Sequence, residues 1–157
     1  MIHGGNDDFL NEFFTTGRDL SFGYILADAG FDLWCGNNRG TRFSRKHVEL
    51  SITDDKFWDF TWDEPINHEI PMFLEKIYVE TGGKKIGVIG YSKGAACILL
   101  GLSDKWFRTR VLPLVGSLNL VAPGFLFVSS RKNSQFFSFL ENFYFLEKRH
   151  LWIWRDL

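Results

Sequence analysis

The apolar run Ile86-Gly87-Val88-Ile89 stops at Gly90-Tyr91-Ser92-Lys93-Gly94 and resumes as Ala95-Ala96-Cys97-Ile98-Leu99-Leu100. β-branched residues, a glycine-bounded break and a helix-forming run predict a strand, a sharp turn and a helix. G-x-S-x-G in that setting reads as a nucleophile elbow, with the serine on a strained turn and its hydroxyl exposed at the top of a sheet. Gly90 and Gly94 leave room for the tight backbone, because a Cβ at either would collide with the flanking strand and helix. The following helix directs its first N–H groups at negative charge developing beside Ser92. The bare pattern is common by chance; the strand before it and the helix after it carry the signal.

Three other readings compete for the same residues. The bland one is an ordinary strand–helix turn. Gly90-x-Ser92-x-x-Ala95 also has the spacing of a dinucleotide fingerprint, which wants an acidic residue about 20 positions on. The next apolar run, Val111 to Val121, holds no Asp or Glu. A phosphate-binding Walker loop fails, since no glycine precedes Lys-Ser or Lys-Thr.

With 157 residues, 45% of them hydrophobic, the chain has the size of about one domain. Its net charge of −1 and lack of a basic stripe exclude a nucleic-acid footprint. Cys35 and Cys97 read as small core residues with free thiols. The cysteines and four histidines show no metal-ligand spacing, and no cofactor is called for. Asp54, Asp55, Asp59, Asp63 and Glu64 read as a solvated loop rather than a cation site. The opening Met1-Ile2-His3-Gly4-Gly5 shows no signal peptide. Val111 to Val128 is uncharged and about as long as a membrane helix, but Pro113, Gly116, Asn119, Pro123 and Gly124 interrupt it. A parallel strand buried on both faces and then a loop explains that run better.

Along the chain, Ser21 to Gly30 predicts a helix with Phe22, Ile25 and Leu26 on its apolar face. A strand at Phe31 to Cys35 and a turn-rich loop at Gly36 to Gly40 come next. A helix starting near Glu69 to Pro71 carries Phe73, Leu74, Ile77 and Tyr78 on one face and stops at Gly82-Gly83. A central strand at Lys85 to Ile89 and another at Leu112 to Val121 bracket the post-elbow helix. Strands alternating with helices predict an α/β class with a mostly parallel sheet. Residues 1–125 form this core. Residues 126–157 are rich in aromatics, with Phe136/Leu140 and Phe139/Phe143 at helical i,i+4 spacing. That tail reads equally as a core or cap helix and as a lid or lipid-facing surface.

These residues together resemble the acid lipase family: the gastric and lysosomal acid lipases and the fungal steryl ester hydrolases. The resemblance runs from His3 to about Pro123. It rests on His3-Gly4-Gly5, Ile25 to Trp34, Gly36-Asn37-Asn38-Arg39-Gly40, Ser44-Arg45-Lys46-His47, Phe57-Trp58, Asp63-Glu64, Ile70-Pro71, the elbow and Ala122-Pro123. It implies a partial α/β-hydrolase fold, with strands before His3 and after Val121 absent or incomplete. It also implies cleavage of apolar lipid esters, triacylglycerols or sterol esters, through an acyl-enzyme on Ser92. The backbone N–H groups of Gly5 and Lys93 would form the oxyanion hole. A lipid-droplet or membrane surface is the implied setting. Family members are secreted, lysosomal or lipid-associated, and the compartment of this chain stays open.

The departures are specific. Lys93 stands where most relatives carry glutamine, Tyr91 replaces histidine or phenylalanine, His68-Glu69 replaces Tyr-Asp, and Gly5 replaces an apolar residue. The family's triad acid and histidine follow the serine at a much greater distance than the 65 residues remaining here. The acids and base left are Asp104, Glu141, Glu147, His150 and Asp156, among which Asp104 then His150 has the right order. His47 is expected to tie its loop and His68 to sit at a helix start. The alternative function is therefore a catalytically incomplete fragment or interaction module that keeps the hydrolase core.

Overall fold

The computed structural model describes residues 1–5 and 7–121. In chain order these form α1 (Phe9–Phe13), α2 (Phe22–Asp28), α3 (Ile70–Glu80), β1 (Ile86–Tyr91), α4 (Lys93–Gly101), α5 (Lys105–Val111) and β2 (Val115–Val121). Short 3-10 turns occupy Asp55–Trp58 and Leu112–Leu114, and a π-helical turn over Pro65–Glu69 runs directly into α3. The aromatic tail and its lid or cap readings lie outside the described residues, as do Glu141, Glu147, His150 and Asp156.

β1 and β2 pair in parallel, with α4 and α5 as the crossover between them. After an irregularity at Ile86/Gly87, the residues Gly87 to Tyr91 face Ser117 to Val121 one for one. On the other side of β1, the Ile2 N–H donates to the Ile89 carbonyl at 2.8 Å and the Tyr91 N–H donates to the Ile2 carbonyl at 3.0 Å. The Gly36 N–H donates to the Met1 carbonyl at 3.0 Å. Across the sheet the order is thus Gly36, Ile2, β1, β2, all parallel. β1 thus lies between β2 and the Ile2 bridge, and it runs from Ile86 to Tyr91 rather than from Lys85 to Ile89.

One face of this sheet is packed. Val88 joins Ile2, Ile70, Leu74, Cys97, Ile98, Phe107 and Val111 in a buried apolar cluster. Phe107 is at its centre, fully enclosed. α3 contributes Ile70, Pro71, Leu74 and Ile77, a helical stripe one turn apart. The Glu75 carboxylate takes two hydrogen bonds from the Arg110 guanidinium and ties α3 to α5. Asp104 caps α5, accepting the Phe107 N–H at 3.0 Å.

Several expectations need correction. β2 is not covered on both faces among the described residues: Ser117, Asn119 and Val121 are exposed, while Leu118 and Leu120 pack inward. Ser-Leu-Asn-Leu is a period-2 alternation, and the absence of charge masked it. Phe31 to Cys35 forms no strand. Its carbonyl at Trp34 accepts the Met1 ammonium at 2.6 Å, and the one β-bridge to this side among the described residues is that of Gly36 with Ile2. In α2, Phe22 and Ile25 are exposed and the buried residue is Gly23, against which the Phe14 ring packs. The helical run containing α3 starts earlier than Glu69, at the Pro65 turn, because proline's fixed φ suits a first turn. It ends where Gly82 and Gly83 take φ of +69° and +83°. Residues 112–114 of the second predicted strand form a 3-10 turn around Pro113 instead.

His3 locks the sheet edge to the loop after Gly36. Its Nε2 accepts the Asn38 N–H at 3.0 Å, which leaves the proton on Nδ1 to donate to the Gly4 carbonyl at 2.7 Å. Both His3 and Asn38 are buried. Burial holds the imidazole below the ordinary histidine range; the Gly4 carbonyl opposes this and the Lys93 charge adds to it. The neutral ring is therefore the form the fold requires.

Two outcomes follow. Phe107→Ala should cost about 3–5 kcal/mol, the usual loss for an enclosed phenylalanine, read as a lowered urea midpoint. For His3, the folded state disfavours a proton that the unfolded chain accepts near about pH 6.5. Its contribution is present above that pH and is lost as pH falls below it. Urea midpoints at about pH 7.5, 6.5 and 5.5 should drop more steeply for wild type than for His3→Gln; parallel slopes would refute the role.

Candidate active site

The turn between β1 and α4 is the most constrained point of the backbone. Ser92 has φ +49° and ψ −114°, the one positive φ outside glycine among the described residues. Such a conformation costs about 1–3 kcal/mol and persists only where its surroundings enforce it. The Ser92 N–H donates to the Val121 carbonyl at 2.8 Å, and its carbonyl accepts the Ala96 N–H at 3.0 Å. Its two flanking glycines admit no side chain. A Cβ on Gly90 would stand 2.9 Å from Ile98 Cδ1 and 3.1 Å from the Ala95 nitrogen. On Gly94 it would lie 2.7 Å from the carbonyl oxygens of both Ile2 and His3. Those oxygens belong to the sheet and cannot give way.

The same close approach brings His3-Gly4-Gly5 against the elbow. A Cβ on Gly4 would stand 3.1 Å from Ser92 Cβ, and one on Gly5 would lie 3.8 Å from Lys93 Cβ. The backbone N–H groups of Gly5 and Lys93, the sequence-predicted oxyanion donors, make no hydrogen bond among the described residues. Lys93 opens α4, so its N–H is one of the helix's unsatisfied first donors. Four of the predicted residues (Gly5, Ser92, Lys93 and Gly94) thus converge on one end of β1.

The sequence did not single out Glu12. Its carboxylate accepts the Gly4 N–H in a short hydrogen bond, and its Oε1 is 3.1 Å from the position a Gly4 Cβ would take. Burial pushes its carboxyl up; the Gly4 N–H opposes the rise and the Asp7 charge adds to it. Its carrier, α1, was not singled out either; Asp8 caps it by accepting the N–H groups of Leu10 and Asn11. Nothing in the spacing says that a side chain one turn on reaches back to the His-Gly loop. Asp8 is itself buried and pairs with Arg42 Nε at 2.6 Å. Burial works against its charge, yet the Asn11 N–H, Arg42 and the Leu10 N–H hold its carboxyl below the usual range.

Other sequence candidates lie apart from the elbow. His47 is exposed, and its Nδ1 accepts the N–H groups of Glu49 and Leu50, tying its loop. His68 is exposed in the π-helical turn. Asp104 lies beyond the far end of α4, roughly 13 Å along the helix from Ser92, with its carboxylate engaged in capping. Asp54 accepts the Ser51 N–H and Glu64 the Thr61 N–H, both local turn bonds. Cys35 and Cys97 are free thiols, and burial pushes Cys97 up to about 11, which keeps it an inert core group. Among the described residues no histidine or carboxylate hydrogen-bonds to the Ser92 hydroxyl.

No protein-family profile matches the chain. Curated proteins do. Mouse (Mus musculus) lipase member M is 47% identical over 83 residues, 53% of this chain and 20% of the relative. Human (Homo sapiens) lysosomal acid lipase/cholesteryl ester hydrolase is 42% identical over 104 residues, 66% of this chain and 26% of the relative. Triacylglycerol lipase 2 of Arabidopsis thaliana is 42% identical over 93 residues, 59% of this chain and 22% of the relative. The chain therefore spans about a fifth to a quarter of the length of the curated relatives it matches. Across that matched stretch the chain is similar to acid lipases.

Proposed function

We propose that this chain carries the nucleophile half of a lipid ester hydrolase on a partial α/β-hydrolase fold. The observation that carries the reading is the positive φ of Ser92 at a glycine-bounded turn, beside a His-Gly loop. A backbone held in that state against its own preference presents the hydroxyl outward from the end of a central parallel strand. In the proposed acylation, the Ser92 Oγ bonds to the ester carbonyl carbon as the carbon–alkoxy bond breaks. The hydroxyl proton passes through a base to the departing alcohol. The transient oxyanion is received by the N–H groups of Gly5 and Lys93, which must lie about 3 Å from it. The similarity to lysosomal acid lipase/cholesteryl ester hydrolase and to triacylglycerol lipase 2 supports an apolar ester as substrate.

A second reading has its own observation. Ser92 has no base within hydrogen-bonding distance among the described residues, and His3 is committed at both ring nitrogens. A serine without a proton acceptor is a weak nucleophile near neutral pH. On this reading the chain is a catalytically incomplete fragment or interaction module that retains the hydrolase core.

Two measurements separate the readings. A fluorophosphonate probe should label wild type and not Ser92→Ala; absence of label on folded wild type favours the incomplete module. In addition, the 157-residue chain alone should show negligible turnover of a short-chain p-nitrophenyl ester. Oxyanion donors without a triad leave only about 10³- to 10⁴-fold over water. Robust Ser92-dependent turnover would overturn that expectation, and its loss in His150→Ala would identify the base.

A further inference from the structure

Gly4 leaves open a gap that two reactive groups share. A Cβ there would stand 3.1 Å from Ser92 Cβ, 3.1 Å from Glu12 Oε1 and 3.3 Å from Glu12 Oε2. The serine and the carboxylate therefore flank a single space about the width of a methyl group. We propose that Glu12 is the proton acceptor for Ser92, a catalytic carboxylate that α1 delivers to the elbow. The inference rests on the reading of Ser92 as a nucleophile given above.

The carboxylate is oriented and half-buried. Its Oε2 accepts the Gly4 N–H, which fixes the group and leaves Oε1 without a hydrogen bond among the described residues. The helix that carries it is capped by Asp8 and anchored by the buried Phe13 ring next in the chain. Burial pushes the Glu12 carboxyl up, the Gly4 N–H opposes this, and the Asp7 charge adds to the rise. A carboxyl raised toward neutral pH is the better proton acceptor there. The titratable and charged groups on the elements that meet here are Asp7 and Asp8 before α1, His3 in the loop and Lys93 at the head of α4. Asp8 is paired with Arg42, and His3 spends both ring nitrogens on Asn38 and Gly4. Glu12 is thus the base left to the serine.

Catalytic hydrogen bonds are often long in a free enzyme and tighten only when substrate is bound. Rotation about the Ser92 χ1 turns the hydroxyl toward the gap. In acylation, Glu12 Oε1 takes the hydroxyl proton as Oγ bonds to the ester carbonyl carbon, and the carbonyl π pair moves onto its oxygen. The carbonyl then re-forms, the carbon–alkoxy bond breaks, and the departing alkoxide takes the proton from Glu12. Negative charge leaves the carboxylate as it appears on the oxyanion. Glu12 is therefore neutral at the moment when its charge would oppose that oxyanion.

The test is the rate at which a fluorophosphonate labels Ser92 in the full chain, a reaction in which fluoride departs from phosphorus and needs no proton returned. Glu12→Gln is the deciding variant: its amide oxygen still accepts the Gly4 N–H, but it cannot take a proton. Circular dichroism first establishes that it folds as wild type does. Labelling should slow about 10²-fold or more. Labelling at the wild-type rate would overturn the proposal and leave Glu12 as a support of the loop, with the nucleophile reading intact. A second measurement needs no variant. The wild-type rate, with folding checked at each pH, should rise through a carboxyl titration whose midpoint lies above the ordinary glutamate value of about 4.3. A rate that stays flat between about pH 4 and 8 would overturn the proposal as well. Loss of labelling in His150→Ala, with Glu12→Gln unaffected, would give the base to His150 instead. No label on folded wild type would remove the activated serine, and with it both the reading and the base.

Discussion

Everything site-like in this molecule depends on how closely α4 approaches the sheet. The start of that helix sits against the carbonyl oxygens of Ile2 and His3 at a distance that a single Cβ on Gly94 would violate. Three consequences follow from this one contact. Ser92 is forced to a positive φ, because the chain must leave β1 and enter α4 with no residue to spare. The His3-Gly4-Gly5 loop is brought onto the serine, since it continues from the very segment on which α4 rests. The first N–H groups of α4, which have no intrahelical partner, begin at Lys93, directly after that serine.

The contact holds because the segment beneath it is fixed on both sides, with Met1 bonded to Trp34 and Gly36 on one of them. Ile2 bridges Ile89 and Tyr91 of β1 through two backbone hydrogen bonds. His3 reaches Asn38 through a buried neutral imidazole. Backbone bonds alone specify register weakly in so short a segment. A side chain that accepts at one nitrogen and donates at the other fixes its position along the sheet. The histidine of the His-Gly motif is in this structure a strut, and its buried neutral state is what lets it be one.

The strand, turn and helix around Ser92 were legible in the sequence because a strand–turn–helix with paired glycines is a local pattern, and local patterns survive translation into structure. The order strand, helix, strand was legible for the same reason, but α5 (Lys105–Val111), which completes the crossover, was not singled out. Three things were not. The exposure of Phe22 and Ile25 on α2 depends on where Phe14 packs, through the bare backbone of Gly23, which no periodicity reveals. Phe31 to Cys35 has strand composition but needs a partner to be a strand, and composition does not count partners. Glu12 reaches Gly4 only because α1 folds back over the His-Gly loop, a tertiary event between residues that look unrelated in the chain. The motif placed the serine and the loop; it did not say which charges would surround them.

Those charges set the chemistry that the proposed site can support. Lys93 brings a positive charge next to the proposed oxyanion position, which favours a developing alkoxide. Glu12 holds the Gly4 N–H on the opposite side of the loop, and in its ionised form it opposes that same charge. Burial and Asp7 push Glu12 toward its neutral form, against the hydrogen bond from Gly4. The field at Ser92 is therefore not fixed by the backbone donors alone. It is the difference between a lysine side chain one residue away and a carboxylate that burial pushes toward its neutral form. The fold supplies the geometry through glycines that leave no room, and the side chains particular to this sequence decide the sign and size of the field within it.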